Sequence, residues 1–345
     1  MHFTLFNRRP GFVLLLVCTL VAGWLLHGMI VAPSNSTAES SPSVNSVLHS
    51  GNVPISSQVG TSTNKNPVHD FALNSIKSDQ SKLTAGLHPG RGQAIPAATD
   101  VTELPVKDVR FYNWRGELLS GWLALITPEA PVIMLTHGTP GNRVSMLQRA
   151  AFLYKHGYNV LLFDFQSYGL SQGVMSTLGM VESEDILAAI SFLHGLPDTM
   201  YSKIGVLGLS MGATAAVLAA SRSSDILALV AESCPVDATR VPGDVPDEAS
   251  READRQLVED VYGVDITQAR PIDYVNKLAG HTAIFFINGD VDDITPLPGM
   301  QALYQAASAP KQSWVVSNAG HAQSFAIDPD GYMQRVDAFF DTYLR

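Results

Sequence analysis

The residues best suited to covalent chemistry form a short run, Gly208-Leu209-Ser210-Met211-Gly212. It follows the apolar stretch Ile204–Leu207 and opens the alanine-rich stretch Ala213–Ala220. A Gly-x-Ser-x-Gly run between a strand and a helix describes a nucleophile elbow, a turn so tight that side chains at the two glycines would clash. The serine is then lifted to a helix N-terminus, where the dipole and the free amide of Met211 favour negative charge on a bound oxygen. A serine hydroxyl is a weak nucleophile, so it needs a base, and the base needs a carboxylate to orient it. With a serine on such a turn, the acid and then the histidine follow along the chain. Ten histidines are present, and only His321 comes after the acidic loop that holds Asp290, Asp292 and Asp293. It sits in a glycine-containing segment, 317–322, past the last predicted strand. Any of the three acids could serve as the orienting one, and their spacing lacks the terminal glutamate of an EF-hand calcium loop. Neither a His-Glu-x-x-His nor a Cys-x-x-Cys spacing occurs, so no metal or organic cofactor is expected.

The elements that must position these residues begin at Val101, where strand and helix patterns start to alternate. Such alternation predicts a mostly parallel sheet with helices on both faces. The predicted strands are Lys107–Trp114 and Leu118–Ile126, paired as a hairpin around Arg115-Gly116, then Pro131–Thr136, Tyr158–Phe163, Lys203–Leu209, Ile226–Ala231, Thr282–Asn288 and Gln312–Val316. The predicted helices are Val144–His156, Val181–His194, Met211–Ser221, Leu297–Ala307 and Pro329–Tyr343. Between Cys234 and Gly280 the alternation breaks. This insertion, about 235–280, is irregular at first and then helical and acidic over Asp247–Tyr262, and it reads as a small lid over the strand ends.

From Val106 to Leu344 the sequence resembles the α/β-hydrolase superfamily, and within it the serine aminopeptidase-like and Bem46-like hydrolases. The resemblance is carried by His137-Gly138-Thr139-Pro140-Gly141, by Gly157-Tyr158-Asn159-Val160, by the run from Asp164 to Gly173, by the serine elbow, and by the acid and histidine loops. It implies an α/β fold with an eight-stranded, mostly parallel sheet. It also implies that Asp292, four residues before Pro296, is the triad acid, and that the amide of Thr139 joins that of Met211 as an oxyanion donor. The expected activity is acyl transfer to water from an ester, thioester or amide, with carboxylesterase-type chemistry foremost. Two other readings are a peptidase acting on N-terminal residues and a binding protein that kept the hydrolase shell without its activity. The peptidase would need a carboxylate for the substrate amine, which the acidic segment (Asp247, Glu248, Glu252, Asp254, Glu259, Asp260) could supply. One departure stands out: Gln166 and Ser167 occupy the usual arginine and glycine positions of the family's Asp-x-Arg-Gly-x-Gly segment, which puts the arginine's role in loop packing in doubt.

The first hundred residues differ from the rest. Arg8 and Arg9 precede an uncharged apolar run from Phe12 to Ala32, close to the roughly 20 residues a helix needs to cross a bilayer. Its exit, Val31-Ala32-Pro33, suits a cleavage site poorly, so residues 1–32 are expected to anchor the chain in a membrane, with late cleavage of a signal segment as the alternative. Basic residues on the short flank predict that the bulk of the chain is exported. Residues 33–100, rich in Ser, Asn, Thr, Pro and Gly, read as a flexible tether, leaving 101–345 as the catalytic domain. The tether is charge-balanced, so the formal charge of −10 comes from an acidic domain; with no basic cluster, nucleic-acid binding is not expected. Two cysteines, Cys18 and Cys234, rule out a disulfide framework.

Overall fold

The computed structural model describes Leu87 and residues 95–196, 203–240, 247–308 and 310–345. The expected membrane segment and most of the expected tether lie outside the described residues, among which no helix is long and apolar enough to cross a membrane.

Eight strands form a sheet in the order β1-β2-β4-β3-β5-β6-β7-β8. They are β1 (Lys107–Tyr112), β2 (Leu118–Ala124), β3 (Val132–Thr136), β4 (Asn159–Phe163), β5 (Ile204–Leu209), β6 (Ile226–Glu232), β7 (Ala283–Gly289) and β8 (Lys311–Val316). β2 runs antiparallel to both its neighbours, and from β4 to β8 every pairing is parallel. The helices are α1 (Ala98–Val101), α2 (Leu147–Lys155), α3 (Met180–His194), α4 (Met211–Ala220), α5 (Glu248–Tyr262), α6 (Leu297–Ala306), α7 (Ser324–Ile327) and α8 (Pro329–Leu344).

The strand pleat sorts the core into two layers. Val132 and Met134 of β3 face the layer that holds α3, α4 and α6, while Ile133 and Leu135 face α2 and α8. Because both faces are covered, β3, β4 and β5 are buried along their whole length, which is why they read as continuous apolar runs. Gly205 is part of this fit, since a Cβ there would lie 2.9 Å from atoms of Ile133, Phe340 and Leu344. The chain order reverses around β3, and the crevice beyond the strands' carboxyl ends at such a switch point is where ligands bind in open α/β sheets.

Most element ends shift by one to three residues, and two boundaries bear on packing. β6 runs one residue past Ala231 and ends on Glu232, which is wholly buried. Its carboxylate accepts from Arg149 Nη2 at 3.0 Å and from the Tyr332 hydroxyl at 2.7 Å, and Arg149 lies over the rings of Phe325 and Tyr332. These partners come from helices distant in sequence, so no local pattern marks them. Arg149→Met would leave Glu232 buried without its cation, a loss on the order of 3–5 kcal/mol. Urea unfolding of the purified variant beside wild type measures it, and a loss under 1 kcal/mol would contradict this role for the pair. The second boundary is at the N-terminal side, where packing reaches back past Val101. Leu87 is 1% exposed in a cluster with Val174, Met175, Val181 and α5, and Ala98 is 2% exposed.

The expected insertion is an excursion between β6 and β7. It contains α5 and short turns at Ala238–Arg240, Ile266–Gln268, Pro271–Asp273 and Val275–Leu278. Asp247 caps α5 by accepting from the Ser250 amide, the local bond expected of an N-cap aspartate. The acids of α5 pair along its own surface: Glu252 and Glu259 with Arg255, Glu248 with Arg251, and Asp260 with Gln256. They behave as a solvated helix face.

Candidate active site

The elbow forms as the sequence predicts. Ser210 has φ 53° and ψ −115°, a left-handed conformation that a non-glycine residue adopts at a cost and typically at a functional site. The glycines on either side are required by contact. A Cβ at Gly208 would lie 2.6 Å from Gly212 O, and one at Gly212 would lie 2.4 Å from Thr136 O. The Ser210 amide donates to Glu232 O at 2.9 Å. The amide of Met211, at the first position of α4, has no intrahelical acceptor and stays available to a ligand.

His321 Nε2 lies 3.0 Å from Ser210 Oγ. Its Nδ1 lies 3.1 Å from both carboxylate oxygens of Asp292. With the carboxylate accepting from Nδ1–H, this network assigns the unprotonated Nε2 to face the serine. Asp292 is 4% exposed. It also accepts from the amides of Ile294 and Thr295, at 3.0 and 2.7 Å, and from the Thr295 hydroxyl at 2.7 Å. Burial by itself would raise the Asp292 pKa, but the bonds from His321 and Thr295 together hold it below the usual carboxylate range. The other two loop acids do other work: Asp290 accepts from the Asn318 amide and fastens the acid loop to the histidine loop, while Asp293 is exposed. The histidine loop is pinned just past β6 as well, where Ser233 Oγ accepts from the Ala322 amide at 3.1 Å.

Thr139 lies in the loop after β3. The chain passes close to Ser210 there, since a Cβ on Gly138 would lie 3.1 Å from Ser210 Cβ. His137 is wholly buried, and burial pushes its pKa down. Its Nε2 accepts from the Phe165 amide at 3.2 Å, so Nδ1 is left to donate to Gly138 O at 2.9 Å. This neutral histidine sets the course of the Gly138-Thr139 segment.

The comparisons with known proteins agree with this architecture. Residues 112–244 match the family model of X-Pro dipeptidyl-peptidase (S15 family). The uncharacterized protein Rv2307c of Mycobacterium tuberculosis is 29% identical over 262 residues, covering 73% of this chain and 84% of its own. Thiohydrolase aneE of Aspergillus aculeatus is 31% identical over 152 residues, covering 43% of this chain and 48% of its own. Among solved structures, Pyrococcus furiosus esterase Pf2001 is similar with a TM-score of 0.60 at 25% identity, over 75% of this chain and 100% of that one. The chain belongs to the α/β-hydrolase superfamily. It is a hydrolase of that fold.

In this α/β-hydrolase the departure at Gln166 has a structural answer. Gln166 is wholly buried; its Nε2 donates to Met175 O at 2.7 Å, and its Oε1 accepts from the Tyr262 hydroxyl at 2.8 Å. The neutral side chain thus ties the 164–173 loop to the end of α5, where Arg115 also donates to the carbonyls of Val261 and Tyr262. Thr295 contacts both Asp292 and His321, and nothing in the local sequence pattern marks it. It stands three residues after Asp292, a spacing at which a side chain returns to an aspartate on the same turn, and Thr295 Oγ1 also lies 3.2 Å from His321 Nδ1. On this side of the hydrolase site is a cavity of about 180 Å³, bordered by Cys234, Val236, Asp237, Ile294, Thr295 and Gly299 among others. Asp237 on its rim is paired with Arg270 at 3.0 Å.

Proposed function

We propose that this chain is a serine hydrolase of carboxylesterase type, working through an acyl-enzyme on Ser210. The observation that carries the reading is the hydrogen-bonded line from Ser210 Oγ through His321 to Asp292. Ser210 Oγ attacks the substrate carbonyl while His321 Nε2 takes its proton, and Asp292 balances the charge that develops on the ring. The amides of Thr139 and Met211 hold the oxyanion, each worth about 3–4 kcal/mol of barrier. His321 then returns the proton to the leaving group, and water activated by the same histidine releases the acid.

The cavity beside Thr295 suits an apolar substrate group, since about 150 Å³ of dry space holds a benzene ring. The insertion lends Val236, Asp237 and Arg240 to that cavity, which supports a lid-like role in selecting substrates. Similarity to an esterase and to a thiohydrolase supports oxygen and sulfur esters as substrates. The match to the S15 model favours a peptidase as the second reading. Against it, the acids of α5 are engaged with their own helix and Asp237 is paired with Arg270. The apolar run 12–32 supports anchoring of the catalytic domain outside the cytoplasm.

Hydrolysis of p-nitrophenyl esters of two to twelve carbons by the purified full chain tests the reading, beside an amino-acid anilide with free and with blocked amine. Ester turnover, with the two anilides alike, is expected; a strong preference for the free amine would replace the esterase reading with the peptidase. The same series reads the cavity. Val236→Ala should shift the preferred acyl chain longer and Val236→Phe shorter, with kcat/KM ratios changing by about tenfold or more. An unchanged chain-length profile in both variants would remove the cavity from acyl selection.

A further inference from the structure

One phenol contacts the side chains of both residues of the proposed oxyanion site. Tyr168 is wholly buried, and its hydroxyl lies 2.9 Å from Thr139 Oγ1 and 3.4 Å from Met211 Sδ. Its ring meets that of His137 edge-on, with centroids 5.1 Å apart. Ser176 Oγ donates to the same sulfur at 3.4 Å, so the Met211 side chain is fixed from two directions. Thr139 lies in the loop after β3 and Met211 opens α4 after β5, and Tyr168 bridges them from the loop after β4.

The backbone around Tyr168 is built to hold it there. Ser167 and Gly169 have φ 65° and 47°, and a Cβ on Gly169 would lie 2.1 Å from Asp164 Oδ2. Asp164 is itself tied down by the buried cation Arg143 and by the amides of Arg143 and Leu170. A buried phenol has no need of such a loop for packing, because phenylalanine fills the same space. The hydroxyl is what the loop adds, and beside Ser176 its neighbours are the side chains of Thr139 and Met211, the two residues whose amides would bind the oxyanion. Burial pushes the Tyr168 pKa up, so the hydroxyl keeps its proton.

We propose that Tyr168 is the positioning residue of the oxyanion hole, its hydroxyl joining Thr139 to Met211 so that the two amides converge on one oxygen. This rests on the serine-hydrolase reading of the site. An amide that drifts from its place loses most of its effect on the transition state, while ground-state binding changes little.

The test compares wild type with Tyr168→Phe and Thr139→Val, which remove the same hydrogen bond from opposite ends, and with their double variant. Each single variant should lower kcat about tenfold or more with KM within about twofold. Affinity for a trifluoromethyl ketone, which forms a tetrahedral oxyanion, should fall by the same factor, while inhibition by the product carboxylic acid stays as in wild type. The double variant should lose no more than either single one. Wild-type kcat and ketone affinity in Tyr168→Phe would overturn the proposal, as would equal loss of ketone and carboxylic-acid binding, the mark of general loosening. Ser210→Ala in the same assay separates the two levels. If it is inactive while Tyr168→Phe is unaffected, the positioning role falls and the serine mechanism stands; if it retains activity, the serine mechanism itself falls.

Discussion

Ser210→Ala should lower kcat for a short-chain ester on the order of 10⁶-fold, with KM little changed, as loss of the nucleophile does in comparable triads. The size follows from the chemistry. Without Oγ the acyl-enzyme route closes, and what remains is the effect of the oxyanion amides and of binding on direct attack by water, worth about 10³–10⁴ over solution. The variant should fold, because Ser210 packs at the surface end of β5 and its amide bond to Glu232 does not involve the side chain. Stopped assays with high enzyme concentration are needed to read a residual rate that small. A loss under a hundredfold would mean that Ser210 does not carry the acyl group.

Asp292→Asn should lower kcat about 10⁴-fold at neutral pH, the loss seen when the orienting carboxylate of a triad becomes an amide. An asparagine can turn its oxygen or its NH₂ group toward Nδ1. With the NH₂ group there, the ring carries its proton on Nε2, facing Ser210, and cannot accept the serine proton. The ionised Asp292 carboxylate avoids that ambiguity because it can only accept, and Thr295 and the amides of residues 294 and 295 hold it in place. Its folded pKa is depressed, so Asp292 stabilises the fold above the unfolded carboxylate value of about 3.9, and that contribution is lost only as pH falls through the lower folded value. The acid therefore stays ionised through the neutral range and adds no limb of its own to the rate profile there. Asp293→Asn provides the contrast, since Asp293 is exposed. Equal losses at positions 292 and 293 would contradict the assignment.

What was legible in the sequence was whatever depends on neighbours along the chain. The elbow is a five-residue event: two glycines, a strand before and a helix after, all visible as pattern. The strands were legible because both faces are covered, which removes polar positions from β3, β4 and β5. The choice among Asp290, Asp292 and Asp293 was not a local matter. It depends on how the turn from Asp292 to Thr295 aims the carboxylate at a histidine 29 residues on, and only the resemblance to the superfamily singled it out. Glu232 ended a strand that the apolar pattern stopped one residue early, because Arg149 and Tyr332, from α2 and α8, make a buried charge tolerable there. Gln166 looked like a loss, yet its amide holds the Tyr262 hydroxyl, a contact 96 residues away. Tyr168 and Thr295 lay inside segments already recognised, but a role that consists of touching other loops leaves no mark on local spacing. Leu87 is similar: it sits among small and polar residues, and its partners lie on α5 and beyond Gly173.

The serine mechanism is tested most directly by treating the purified full chain with a fluorophosphonate while following ester hydrolysis, then locating the adduct by peptide mass mapping. The account predicts one adduct per chain, on Ser210, with activity falling in proportion to labelling and no adduct in Ser210→Ala. Full activity after complete labelling, or an adduct on another residue that tracks the loss, would contradict it.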